Sequence, residues 1–219
     1  HLWRTAKGAH LALFPNLNHN DPVWRGVMRD QRFREALSLA IDRPLINQAL
    51  YFGLALEHHN TVLPESPLYD KSLAQTEFNL EKSSALLDEM GLTEWDDADT
   101  RLLPDGRPIH IIVETAGEDT EQTDVLELIR DDWAKVGIKL FTKPSQREVF
   151  RNRIFSGETL MSIWFGLENG LPTAEMSPEE LAPTSQLQLQ WPKWGQHFET
   201  KGKSGEALDM EVAIELARL

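Results

Sequence analysis

The sequence predicts an α/β fold, and three observations carry that expectation. Residues 109–165 alternate short apolar runs (109–115, 138–142 and 159–165) with amphipathic stretches at 120–136 and 146–155. Strand–helix–strand–helix–strand order favours parallel pairing, a right-handed crossover and helices covering the sheet. Residues 30–53 read as two short amphipathic helices with explicit start and stop signals. Finally, 219 residues at 41% hydrophobic and 26% charged suffice to bury a proper core, as one large domain or two small ones.

Taken in order, residues 10–18 (HLALFPNLN) read as a strand that runs into the turn-rich NHNDP of residues 18–22. Asp30 is the expected N-cap of the next helix, since its carboxylate can accept from the first free backbone N–H groups. On that helix Phe33, Ala36, Leu37, Ala40 and Ile41 form one stripe, with Arg32, Arg34 and Glu35 off it. Pro44 suits the first turn of a second helix beginning after Asp42-Arg43. That helix is expected to turn Leu45, Ile46, Ala49 and Leu50 inward and to stop at Gly53.

Pro64 and Pro67 make residues 61–69 an extended or looping crossing. His58-His59, just before it, read as surface residues, because adjacent side chains diverge and no further ligand follows at metal-binding spacing. Residues 79–91 form a helix capped by Asn79, favoured by Glu81 in its first turn, with Leu86, Leu87 and Met90 inward and Gly91 as its stop. The acidic run at 95–99 reads as a solvated loop. Residues 103–108 form a turn before the strand at 109–115. The helix at 120–136 is expected to bury Val125, Leu128, Ile129, Trp133 and Val136, and Ile154 is expected to be buried on the helix at 146–155. Residues 166–205 show little periodicity and read as long irregular structure, ordered by Trp191, Trp194 and Phe198. A last helix is expected over 205–219, with Leu208, Val212, Leu216 and Leu219 inward.

The formal net charge is -13, from 35 acidic residues against 22 Lys and Arg. Nucleic acids and anionic membranes select the opposite sign, so neither is an expected partner. With no cysteine, disulfides, thiol catalysis and Cys-ligated metals are excluded. No Gly-x-Ser-x-Gly elbow, phosphate-binding loop, dinucleotide fingerprint or His-Glu-x-x-His is present, so the expected class is a binding protein rather than an enzyme.

The pattern D-x-R-F-R-x-A-L-x-x-A-I-D-R from Asp30 to Arg43 closely resembles the extracytoplasmic solute-binding proteins of the oligopeptide/dipeptide family, family 5, which deliver ligands to ABC importers. Phe33 stands where the family usually has Val. Further stretches resemble the family too: the capped helix ending Leu86-Leu87-x-x-x-Gly91, the turn Pro104-Asp105-Gly106-Arg107-Pro108, and Trp133-x-x-x-Gly137-Ile138. The resemblance implies a mixed sheet covered by helices, as one lobe of a type II periplasmic binding protein-like fold. It implies that residues 1–219 are a single lobe, lobe 2, with the other lobe and the signal peptide absent. The implied partners are a peptide or oligosaccharide solute, the permease subunits of an ABC importer and the missing N-terminal lobe. The implied location is periplasmic, with no cofactor and no metal.

In open α/β sheets, ligands bind beyond the carboxyl ends of strands. Two places qualify: residues 115–120 (TAGEDT), beginning at Thr115, and residues 164–169 (WFGLEN), with Trp164, Glu168 and Asn169. In peptide-binding members of the family, a Trp at the place of Trp164 is followed three residues later by an Asp that pairs with the ligand's α-amino group, a charge-assisted bond. Here that residue is Leu167, and Glu168 is one place along. Either Glu168 takes over the ammonium through a shifted backbone, or a neutral ligand such as an oligosaccharide stacks on Trp164. In the second case Asn169, Trp191 and Trp194 would supply further contacts. Trp164 reads equally well as a core residue. The family often carries an Asn on the strand before the Asp30 helix, which makes Asn16 or Asn18 a further candidate, although either side chain can instead hold a turn. The peptide reading is placed first because peptides dominate the family.

Overall fold

The computed structural model describes residues 5–71, 77–117, 120–171 and 178–218. The elements run β1 (Ala12–Pro15), α1 (Pro22–Arg29), α2 (Gln31–Leu39), α3 (Arg43–Tyr51), α4 (Leu80–Glu89), β2 (His110–Thr115), α5 (Thr120–Ala134), β3 (Lys139–Pro144), α6 (Arg147–Phe155) and β4 (Met161–Trp164). A 3₁₀ turn (Pro178–Glu180), α7 (Pro192–Glu199) and α8 (Glu211–Leu216) follow. The four strands form one mixed sheet in the order β1-β4-β2-β3. β2 pairs in parallel with β3 and with β4, and β1 closes one edge antiparallel to β4.

Side chains alternate across a strand, so each sheet face collects every second residue. On one face Ile111, Val113, Leu140, Met161 and Ile163 pack with Phe33 and Leu37 of α2, Leu87 of α4 and Leu126, Ile129 and Trp133 of α5. Full burial of such a side chain is worth about 1.5–3 kcal/mol. The Trp133 indole N–H also donates to the Leu37 carbonyl at 3.1 Å, tying α5 to α2. The caps follow the local chemistry: Asp30 accepts from the Arg32 N–H, Asp42 from Leu45 and Asn79 from Lys82.

Several expectations are corrected. α1 falls where no helix was expected, because its eight residues are too few for periodicity to declare itself; Asp21 caps it, Pro22 opens it, and Trp24, Val27 and Met28 are buried. On α3, Ile46 and Leu50 pack on the core, but Leu45 and Ala49 face solvent and Asn47 is buried instead. The Asn47 side chain donates to the Ala55 carbonyl and accepts from the Ala55 N–H, holding the left-handed turn at Phe52-Gly53. On α5 the buried position is Leu126, with Leu128 only half-buried, because packing against the sheet centres the stripe on residues 122, 126, 129 and 133. Among the expected core residues Phe33, Leu37, Trp133 and Ile154 are buried, while Ile41 is half-buried against the core.

The stretch 166–205 is not irregular throughout, since it contains the 3₁₀ turn and α7. The α7 N-terminus has no local side-chain cap. Asn18 supplies one from far away in sequence, its Oδ1 accepting from the N–H groups of Lys193 and Trp194, each at 3.1 Å. A Cβ on Gly195 would sit about 2.0 Å from the Ser185 carbonyl oxygen, so only glycine fits there. The last helix is much shorter than 205–219: Val212 points outward, Ala213 is the buried residue, and Leu219 lies outside the described residues. His58 is half-buried and stacks on Tyr69 at 6.0 Å, rather than lying free on the surface.

Candidate functional site

The opposite sheet face carries a smaller cluster in which Ala116, Phe150 and Ile154 pack with Phe155, Trp164 and Leu189. Beside it, beyond the carboxyl end of β4, opens a cavity of about 230 Å³. Its wall is aromatic: Trp164 stacks on Phe150 with ring centroids 5.9 Å apart and meets Phe165 edge-on at 5.4 Å. The Arg147 guanidinium lies over the Trp164 ring, 5.3 Å from its centroid, and Arg151 joins Arg147 in the lining. Such a surface offers flat apolar contact and cationic donors at one opening.

α6 is fixed in place by a buried ion pair. Glu114 of β2 is 1% exposed, and Arg153 Nε and Nη2 each lie 2.9 Å from a carboxylate oxygen. Arg153 also donates to Glu158 at 2.6 Å. The hydrogen bonds that Arg153 donates to Glu114 raise its pKa above the ordinary value, so the guanidinium stays charged. Because Phe150, Arg151 and Ile154 share the helix with Arg153, this pair also sets the cavity wall.

The segment after β4 is clamped by its backbone. The Leu167 N–H donates to Asn60 Oδ1 at 2.7 Å, and its carbonyl accepts from the Gly8 N–H at 2.8 Å. A Cβ on Gly166 would come within 2.6 Å of both Asn60 Oδ1 and Ala9 Cβ, so the chain passes where only glycine is accommodated. Leu167 is buried. Glu168 is exposed, but Lys7 Nζ sits 3.2 Å from its carboxylate and also lies over the Phe165 ring. The Glu168 N–H donates to Glu180 Oε1 at 3.0 Å. The acid nearest Trp164 in sequence is therefore already paired with a cation.

The structure brings Trp164 and Glu168 together in the cavity wall. Asn169 is adjacent and half-buried, its Oδ1 accepting from the Leu171 N–H. The remaining sequence candidates lie elsewhere. Thr115 is buried at the end of β2, its hydroxyl accepting from the Gly117 N–H, and residues 118 and 119 of that loop are outside the described residues. Asn16 is buried and holds a turn, donating to the Thr159 carbonyl and accepting from the Asn18 N–H. Trp194 is buried beneath the Arg29 guanidinium, and Trp191 is half-buried at the start of α7. What sequence reasoning missed is the α6 contribution: Arg147, Phe150, Arg151 and Ile154, spaced i, i+3, i+4 and i+7 along one helix face. That spacing was readable, but nothing local said which side of the sheet the helix would cover.

Comparison with known proteins gives a consistent answer. The family described as bacterial extracellular solute-binding proteins, family 5 Middle, matches residues 3–181. The dipeptide-binding protein of Escherichia coli K12 is 28% identical over 173 residues, which cover 76% of this chain and 30% of that protein. The solved oligopeptide-binding protein OppA superposes with a TM-score of 0.83 at 30% identity, over 99% of this chain and 36% of OppA. MelB of Agrobacterium fabrum C58, solved in complex with stachyose, shares the fold with a TM-score of 0.73 at 20% identity, over 97% of this chain and 33% of MelB. The chain thus spans about a third of the length of these relatives. With its mixed sheet, its helices on both faces and a family match over most of its length, the chain belongs to the bacterial extracellular solute-binding proteins, family 5.

Proposed function

We propose that this chain is the ligand-binding lobe of an extracytoplasmic solute-binding protein, capturing oligopeptide-like solutes in a cleft for delivery to the permease of an ABC importer. In this reading residues 1–219 are one lobe, a second lobe of the same protein closes over the cavity, and the complete protein works in the periplasm without cofactor or catalysis. The observation that carries the reading is the aromatic cavity beyond the carboxyl end of β4, set in a fold shared with OppA. Its acids support a binding role over a hydrolytic one: Glu168 is held by Lys7, and Glu180 accepts a backbone N–H.

A second reading, capture of an oligosaccharide, draws on a specific feature. Leu167 occupies the place of the ammonium-pairing acid, while Trp164 offers a stacking face that suits a sugar ring. Calorimetry on the full-length protein, with a mixed-peptide library and a set of di- and trisaccharides, decides between them. Submicromolar peptide binding, weakened by Glu168→Gln, supports ammonium capture. Saccharide binding abolished by Trp164→Ala, with peptides silent, overturns the peptide reading.

A further inference from the structure

Lys7 holds Glu168 in a pair that stability alone does not account for. Its Nζ lies 3.2 Å from each oxygen of the Glu168 carboxylate, a side chain that is 63% exposed. An ion pair so open to water contributes little to folding. Yet the backbone is built closely around it. The Gly170 N–H donates to the Ala6 carbonyl at 2.6 Å and the Gly8 N–H to the Leu167 carbonyl at 2.8 Å. These two bonds bracket Lys7 and set it across from Glu168. A Cβ on Gly8 would come within 2.9 Å of both the Thr61 carbonyl oxygen and Leu167 Cβ, so the approach has no room for a larger residue. From the other side, Glu180 accepts the Glu168 N–H and fixes the backbone of the acid.

The pair stands at the cavity. Glu168 and Phe165 both line it, and Lys7 Nζ lies over the Phe165 ring, 4.8 Å from its centroid. A carboxylate beside an aromatic face is a surface that binds a primary ammonium, through a charge-assisted hydrogen bond and the ring quadrupole. Here the chain itself supplies the ammonium. Tethered by the flanking backbone bonds, Lys7 competes at a high effective concentration, and an amine on a solute has to displace it to reach Glu168.

We propose that Lys7 is a specificity-determining residue: its ammonium fills the cation position between Glu168 and the Phe165 ring and excludes solutes that present a free amine there. This rests on the solute-binding reading above and deepens it: the end of the solute that meets Glu168 is uncharged. That end belongs either to an acylated peptide or to a neutral saccharide.

The test is calorimetry on the full-length protein with two pairs of probes, trialanine amide with its N-acetyl form and the glucosamine trimer with its tri-N-acetyl form. The buffer is set at about pH 6, below the pKa of an α-amino group. In the wild type neither amine binds more tightly than its acetylated partner. Lys7→Met keeps the length of the stem and removes the charge, and it raises the affinity of at least one amine relative to its partner by about tenfold or more, as a charge-assisted contact with a freed carboxylate requires. The pair that responds distinguishes a peptide from a saccharide. Lys7→Arg keeps the wild-type ratio, Lys7→Gln moves it as Lys7→Met does, and adding Glu168→Gln to Lys7→Met abolishes the gain. A merely structural role for Lys7 would weaken both members of a pair alike and leave the ratio where it was; thermal melts confirm that each variant is folded. A wild type that already favours an amine tenfold, or a ratio that Lys7→Met and Lys7→Gln do not move, overturns the assignment of Lys7. Binding of any peptide or saccharide by the wild type then leaves the solute-binding reading standing, and binding of none overturns both.

Discussion

On β2, Ile111 and Val113 are sealed in a core shared with α2 and α5, while their neighbours Ile112 and Glu114 point to the other face. There Ile112 is 43% exposed, and Glu114 is buried against Arg153, which neutralises it, with Lys143 Nζ 4.0 Å away. The same contrast runs across the sheet: Leu140 is buried on the first face, and its neighbour Phe141 is 47% exposed on the second. The first face is covered by apolar helices and gains its stability from area removed from water. The second is covered at its β2 and β4 side by α6, held by the Arg153–Glu114 pair and by buried Phe150 and Ile154, and leaves an open aromatic cavity. A face that seals itself has no surface left for a ligand, whereas a face covered over a smaller area can keep a cavity open.

The largest effect expected from this comparison is on the sealed face. Trp133→Ala should lower unfolding free energy by about 3–5 kcal/mol in denaturant melts, because it opens a cavity at a fully buried indole. An unchanged midpoint would show that α5 does not cover this face as described. On the open face, Arg153→Met strands Glu114 in a buried position and should cost about 3 kcal/mol, the low end for a broken buried pair because Arg153 is partly exposed. Glu114→Gln should cost less, as Arg153 keeps Glu158 and solvent. Equal costs would contradict the dependence of the buried Glu114 on Arg153.

A pH effect separates the two faces further. Asp21, the α1 cap on the sealed side, is held at a pKa of about 2, chiefly by the hydrogen bond from Arg107. A depressed folded-state pKa contributes stability that is complete above the ordinary value of 3.8 and disappears as pH falls through about 2. Thermal melts across that window should therefore lose part of their decline in Asp21→Asn. Trp164→Ala should cost about 1–2 kcal/mol of stability, since the ring is half-buried, yet remove most solute affinity. The smallest effect should come from Ile112→Thr, which stays within about 0.5 kcal/mol because the side chain is exposed. A larger loss would mean that something else covers the open face.

The sealed face was far more readable from sequence than the open one. Phe33, Ala36, Leu37 and Ala40 repeat with the helix period behind an Asp cap, and every clue lies within three turns of chain. The cavity drew only Trp164 and Glu168 from the sequence reading, because its other walls come from residues far apart: Asn60, the 147–155 helix, and residues 180–190. The two asparagines show the same division. Asn16 holds the turn that its composition suggested, while the capping of α7 by Asn18 spans 175 residues and leaves no local trace.

What the sequence by itself determined is the alternation of strands and helices through 109–165, the caps Asp30 and Asn79, and the apolar stripe that buries Phe33, Leu37 and Trp133. These depend on hydrophobic period and on backbone groups satisfied within a turn, both of which act between near neighbours. Only the tertiary structure decided that Glu114 meets Arg153, that Lys7 takes Glu168, and that Arg147 lies over Trp164 with Arg151 beside it. Charges and rings distant in sequence interact only once the sheet order brings their strands and helices together, and no local spacing rule specifies that order.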